Sequence, residues 1–342
     1  MKKKVLALIM CIVMVIGILP VYAFAESGSD WTYNVLSEDD KTAEITGYTG
    51  SETELIFPEE IDGYTMVAIA DNAFVSKWSA NCPVTEVVIP DSYLRIGEKN
   101  FYEYRNLDSI ILPHTLVYIG YDCFYHSKAA LDFLDNCEKN NRFACFYIGE
   151  YCISAQQSQV LDNYKYTIKP GTKLIASGAF FHNMKICGII IPEGVEYIND
   201  YAFYWCTKLT SVVIPNSVKA IGSKSFSDGF GPAIVILQTV ENIADDVFSG
   251  VEGFTTIFGV PGSRAEELAT SNGIAFVAMG DIVYGDVDED GSVTIADYSE
   301  TKSYVSGVVE FEGCSEIIGD MNSDCVIDAF DLFQIDKTVN SI

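Results

Sequence analysis

The stretch Ile214-Pro-Asn-Ser-Val218-Lys-Ala-Ile221-Gly222-Ser-Lys-Ser-Phe226, entered through Leu209, Val212 and Ile214, decides the fold. Its central phrase is an isoleucine followed five places on by a phenylalanine. The phrase recurs as Ile69–Phe74, Ile96–Phe101, Ile119–Phe124, Ile175–Phe180, Ile198–Phe203, Ile221–Phe226 and Ile243–Phe248, with the phenylalanines 27, 23, 56, 23, 23 and 22 residues apart. A period near 23 is the mark of a solenoid, whose coils cannot bury their apolar faces alone and are completed by their neighbours. Ahead of four phrases stands an L-x-x-L-x-L triplet: Val84/Val87/Ile89, Leu107/Ile110/Leu112, Ile186/Ile189/Ile191 and Leu209/Val212/Ile214. Each triplet is followed by Pro90, Pro113, Pro192 or Pro215, which has no N–H to offer and so ends a strand without orphaning a donor. The expected architecture is a stack of short parallel strands backed by an irregular or 3-10 convex side.

Outward from the repeats, the long interval between Phe124 and Phe180 points to an insertion or degenerate coil over 131–166, polar and rich in tyrosine. Residues 26–55 read as an N-terminal cap of strands. Residues 256–280 read as a C-terminal cap, with a helix between Ser263 as N-cap and Gly273 past its end, then a closing strand. The chain opens Met1-Lys-Lys-Lys4, runs apolar from Val5 to Leu19 and reaches Ala23-Phe24-Ala25, the pattern of a signal peptide over 1–25. An uncleaved anchor is the alternative reading of that segment.

The formal charge is −27, and residues 281–342 alone hold 15 acidic side chains against 2 lysines. Such a surface repels nucleic acid and anionic membranes. Of ten cysteines, Cys11 falls in the signal segment, and no C-x-x-C pair suggests zinc or a redox couple. Cys123 and Cys206 sit inside repeats as small buried hydrophobes. Cys314 and Cys325 could bridge, and the pairing stays open.

The acidic tail contains two twelve-residue loops whose first positions are 34 residues apart. The first offers oxygens from Asp286, Asp288, Asp290, Thr294 and Asp297, with the Ser292 carbonyl at position 7. The second offers Asp320, Asn322, Asp324, Asp328 and Asp331, with the Val326 carbonyl. Ca²⁺ is a hard cation that takes six to eight oxygens, and this alternation turns them toward one point. Two bound calcium ions are therefore expected.

The phrase Ile-Pro-x-x-Val-x-x-Ile-Gly-x-x-x-Phe closely resembles the BspA-like (Treponema-type) leucine-rich repeat family, over residues 26–280 once the caps are included. Residues 281–342 resemble a type I dockerin, a small α-helical module with two EF-hand-like calcium loops, here each entered by Gly-Asp (Gly285-Asp286, Gly319-Asp320) and closed by Asp297 or Asp331. That resemblance implies attachment to a cohesin of a cellulosomal scaffoldin. It places cohesin contacts at Ile295, Ala296, Lys302 and Ser303 in the first half and Ala329, Phe330, Asp336 and Lys337 in the second. Two departures matter. Cys325 stands where the second loop's turn favours glycine, at a cost of about 1–2 kcal/mol, which predicts a weaker second site. Apolar residues replace the usual Ser/Thr pair and the halves differ, which implies an uncommon cohesin and argues against interchangeable use of either half.

For catalysis the chain offers three histidines (His114, His126, His182), no G-x-S-x-G, no phosphate loop and no H-E-x-x-H. His182 and Cys206 occupy neighbouring repeats, where a structural role is expected of both. In a strand alternate side chains face opposite ways, so Val88, Ile111, Ile190 and Val213 point out of the sheet. They form either a stripe for a protein or polysaccharide partner or simply good strand formers. The expectation is a secreted, non-catalytic interaction protein. Its alternatives are a free adhesin with a calcium-stabilised C-terminal cap and an enzyme with its site in 131–166.

Overall fold

The computed structural model describes residues 30–75, 82–139, 144–155, 164–209, 211–229, 233–236, 240, 242–251, 256–278, 285–288, 292–306, 319, 327 and 329–340. Residues 31–278 form a β-solenoid in which each coil supplies two strands to two separate ladders. The strands of the four L-x-x-L-x-L segments lie in the first ladder, which runs as Glu54–Ile56, Glu86–Val88 and Ser109–Ile111 in one sheet and as Tyr164–Thr167, Ile186–Ile190, Ser211–Ile214, Ala233–Ile236, Thr256–Gly259 and Ala275–Ala278 in another. Paired neighbours in it are parallel, with a register shift between Tyr164 and Lys165 against Ile186–Ile190 and an even register elsewhere, as in Val212↔Ile234↔Ile257↔Phe276.

The side expected to be irregular is more ordered than its sequence suggests. Ile69 ends the six-residue strand Tyr64–Ile69, the isoleucine of each later phrase sits in a two-residue strand, and these pair along a second ladder, as in Ile175↔Ile198↔Ile221↔Ile243. The reason is satisfaction of a buried backbone: the next N–H bonds back to the preceding coil, Gly97 N to Ile69 O at 2.9 Å and Gly222 N to Ile198 O at 2.8 Å. In three phrases glycine follows the isoleucine (Gly97, Gly120 and Gly222), and there the coils touch too closely for a side chain. A Cβ on Gly222 would lie 2.6 Å from the Asp200 backbone nitrogen.

The recurrent phenylalanines stack along the interior. Phe74, Phe101 and Phe124 form one column, with centroids 5.9 and 5.4 Å apart. Phe180, Phe203, Phe226 and Phe248 form another, at 5.0, 5.2 and 6.3 Å. Between the columns lies the 131–166 region. The helix Lys128–Lys139 enters it, and the antiparallel hairpin Cys145–Ile148/Tyr151–Ala155 restarts the second ladder, as the hairpin Trp31–Ser37/Thr42–Tyr48 starts it at the N-terminal end. The halves are joined through side chains as well: Asn199 Nδ2 donates to Val117 O at 3.0 Å and its Oδ1 accepts from Ile119 N at 3.0 Å.

At the other end, the helix Arg264–Asn272 follows Ser263 and stops at Gly273, which is left-handed (φ 68°), and the strand Ala275–Ala278 closes the ladder. Two further helices, Ile295–Val305 and Ala329–Val339, pack together in the tail. Among the described residues no helix is long and apolar enough to cross a membrane.

Candidate calcium and partner sites

The first acidic loop is built around the start of the helix Ile295–Val305. Thr294 is its N-cap, accepting from Ala296 N at 3.1 Å, and Asp297 reaches back to accept from Thr294 N at 2.7 Å, a complete capping box. The other Asp297 oxygen accepts from Asp288 N at 3.2 Å, tying the loop's third position to its twelfth. Asp286, Asp288 and Asp297 converge, with carboxylate oxygens within 4.8 Å of one another. Asp297 and Asp286 are buried and Asp288 is exposed. Buried carboxylates this close repel unless a cation joins them, and an all-oxygen set suits a hard cation. The residues fit calcium.

Of the remaining first-loop residues, Ser292 is exposed and Thr294 half-buried, while Asp290 lies outside the described residues. In the second loop Asp331 is fully buried in the first turn of its helix, matching Asp297. Asp320, Asn322, Asp324, Val326 and Asp328, with Cys325, lie outside the described residues. Val287, Val293, Ile327 and Ile335 supply the apolar core beneath the loops.

The cohesin-contact candidates divide by exposure. Ile295 is 65% exposed, and Ala296, Lys302 and Lys337 are exposed. Ser303 and Asp336 are half-buried, and the Ser303 hydroxyl is turned inward to donate to Ser299 O at 2.9 Å. The side chains of Ala329 and Phe330 lie outside the described residues. Sequence reasoning missed Phe333, 58% exposed on the last helix. The signal was available, because Phe333 falls two places from both Asp331 and Ile335, which define the buried face.

On the solenoid, Val88, Ile190 and Val213 are half-buried between buried neighbours, and Ile111 is exposed between the half-buried Ile110 and Leu112. The outward line continues to Ile56, in register with Val88 and Ile111 and more exposed than either. Ile56 was missed because its strand precedes the first full triplet. Beyond Val213 the register runs to Val235 and Phe258, which are buried, so the accessible stripe ends there. The structural role expected of Cys206 and His182 fits the geometry: Cys206 Sγ donates to Phe180 O at 3.2 Å, burial pushes its thiol up to about 12, and the His182 ring packs on Trp205.

A two-ladder solenoid joined to a helix pair carrying an acidic loop defines a repeat protein of the interaction class. A model of the BspA type leucine rich repeat region matches residues 67–166 and 173–262 in six copies, more than half of the chain, and the chain belongs to that family. A dockerin type I domain model matches residues 284–340. Both are non-catalytic module types; dockerins of this type bind calcium and have cohesins as partners.

Solved structures similar to this chain include a leucine rich repeat protein of T. pallidum, 20% identical, covering 75% of this chain and 100% of that one with a TM-score of 0.27. A leucine rich cell surface protein of Faecalibacterium prausnitzii is 17% identical, covering 75% and 96% with a TM-score of 0.32. A leucine-rich repeat protein of Bacteroides ovatus is 14% identical, covering 76% and 100% with a TM-score of 0.28. Superpositions this loose carry no argument about ligand or site. No curated protein matches the chain.

Proposed function

We propose that this is a secreted, non-catalytic interaction protein: its solenoid binds an extracellular protein or polysaccharide, and its dockerin, holding two calcium ions, attaches it to a cohesin of a cellulosomal scaffoldin. The observation that carries the reading is the convergence of Asp286, Asp288 and Asp297 inside the dockerin match. Asp286, Asp288, Asp290, Thr294, Asp297 and the Ser292 carbonyl would hold one ion. Asp320, Asn322, Asp324, Asp328, Asp331 and the Val326 carbonyl would hold the other. Bound calcium supplies the positive charge that lets these carboxylates stay together and couples metal uptake to folding. The chain's own part is orientation, since Asp297 fixes the helix start and the loop in one side chain and so presents Ile295 and Ala296 at a defined surface.

Capture of the full chain by a panel of cohesins, with and without chelator, tests the attachment. Calcium-dependent capture by at least one cohesin is expected, whereas capture by none, or capture indifferent to EDTA, rejects it. Ligand binding through the outward stripe is tested with Ile190→Ser and Val213→Ser, which should fold normally and lose the ligand. Full retention rejects the stripe.

A further inference from the structure

A row of rings that this reading leaves unused lies on another arc of the coil, between the second-ladder strands and the first-ladder strands that follow them. Phe181 and Tyr204 are parallel, 5.3 Å apart at 9°. Tyr121 meets Phe181 at 5.3 Å, and His182 meets Trp205 edge-on at 4.5 Å. Phe181 is 37% and Trp205 45% exposed. Isolated apolar residues on a surface need no explanation, but contiguous ones do.

The backbone supplies a second observation. His182 and Trp205 both sit at φ 60°, in the left-handed region, at a corner where other coils place Glu103, Asp228 and Gly250. A side chain there costs about 1–2 kcal/mol relative to glycine, and bulky residues rarely occupy it. Gly250 is the relaxed solution at the same corner. The conformation itself belongs to the repeat, since His126 shares it; what sets Trp205 apart is that the largest side chain at this corner sits there, 45% exposed.

The row also ends abruptly. In the coil after Tyr204 and Trp205 the corresponding residues are Ser227 and Asp228. Trp205 N donates to Ser227 O at 3.1 Å, so the two corners are adjacent, and the Tyr204 hydroxyl is hydrogen-bonded to the Asp228 carboxylate. Two large rings thus step down to a buried serine, whose hydroxyl is turned into the next coil toward Asp246 O and Val247 O, and a half-buried carboxylate. An apolar plate beside strong hydrogen-bond acceptors suits a pyranose, which has C–H faces and a rim of hydroxyl donors. The net charge of −27 disfavours polyanions. Coils about 4.8 Å apart are spaced much as successive sugars in a chain.

We infer that the step formed by Tyr204, Trp205 and Asp228 is a binding site for a neutral pyranose polymer, with sugar faces packed on Trp205 and hydroxyls donating to Asp228. It names a ligand class for the solenoid and rests on the reading of the solenoid as a binding module, at a surface separate from the outward stripe. The test is native affinity electrophoresis of the full chain through gels containing hydroxyethyl cellulose, xylan or mannan as neutral polymers and polygalacturonate as a polyanion.

Retardation by at least one neutral polymer and none by polygalacturonate is expected. Trp205→Gly removes the indole and relieves the left-handed strain, so it should melt no lower than the parent while losing more than about tenfold in affinity. Equal retardation of Trp205→Gly, no retardation of the parent by any neutral polymer, or retardation by polygalacturonate alone overturns the inference. Cohesin capture run on the same samples separates the two failures: a chain that docks but ignores the neutral polymers sinks this site and leaves the attachment standing.

Discussion

Asp297 is asked to do two opposed things, and replacing it with asparagine separates them. Its carboxylate caps the helix at Thr294 N and holds Asp288 N, yet it lies with Asp286 inside a cluster whose oxygens are within 4.8 Å. At that distance and an effective dielectric of about 20, two unit charges repel by about 3 kcal/mol. Asp297→Asn keeps an oxygen for the cap, gives up the bond from Asp288 N, worth about 1 kcal/mol, and removes the charge. In EDTA the variant should therefore unfold at the same temperature as the parent chain or higher.

In calcium the order should reverse. A ligand at a thousandfold excess over its Kd stabilises by about 4 kcal/mol, and the asparagine variant forfeits much of that. Asp297→Ala loses the cap as well, costing about 0.5–2 kcal/mol under both conditions. The assay is scanning calorimetry of the full chain with and without EDTA, following the tail transition, with isothermal titration for calcium affinity. If Asp297→Asn is as destabilised in EDTA as Asp297→Ala, the carboxylate is only a helix cap and the reasoning fails; unchanged calcium affinity in the asparagine variant refutes it equally.

Three further outcomes follow from the solenoid. Phe203→Ala opens the buried column between Phe180 and Phe226 and should cost about 3–5 kcal/mol, read as a lower denaturant midpoint; a shift under 1 kcal/mol would mean the column can collapse and is not the spine of the stack. Gly222→Ala presses a methyl against the Asp200 backbone and should cost about 1–3 kcal/mol, checked by thermal melting against Gly63→Ala, whose site has open space but a left-handed φ. Asp200 is raised above the ordinary 3.8 by burial, against hydrogen bonds from Ser223 N and the Tyr118 hydroxyl. Its folded form holds the proton more tightly than the unfolded chain, so stability is full below pH 3.8 and falls as pH rises through the folded value. Asp200→Asn should flatten that part of the stability–pH curve, and an unaltered curve counts against the shift.

The solenoid was legible because its signal is redundant. Seven copies of one phrase each report the same inward isoleucine and phenylalanine, and Pro90, Pro113, Pro192 and Pro215 mark where strands stop. The second ladder was not legible, since two residues per coil, such as Ala220-Ile221, carry no alternation to detect. It is set by which backbone groups are left to pair once the coils stack. The restart hairpin was hidden for a similar reason: Cys145–Ala155 contains neither a triplet nor an Ile–Phe phrase. In the tail, the loop spacing foretold that Asp286, Asp288 and Asp297 would meet. That Asp297 would also cap its helix was readable from Thr294 three places before it, a capping signature with Asp in place of Glu. The aromatic row escaped because Trp205 and His182 each look like ordinary repeat residues until the stack sets them against one another.

The two parts of the chain are held by physically different means, and that difference shapes what the protein can do. Solenoid order comes from apolar columns and backbone ladders between adjacent coils, terms that are insensitive to divalent ions and local in their reach. Tail order depends on a segment carrying 15 acidic groups against 2 lysines, so its stability follows the cation that neutralises them. Removing calcium should therefore release the attachment while leaving the outward stripe and the aromatic step assembled. If the solenoid binds a ligand and the tail a scaffold as proposed, the chain would let go of the scaffold without letting go of the ligand, because the coil-to-coil contacts that order the stripe and the aromatic step involve no metal.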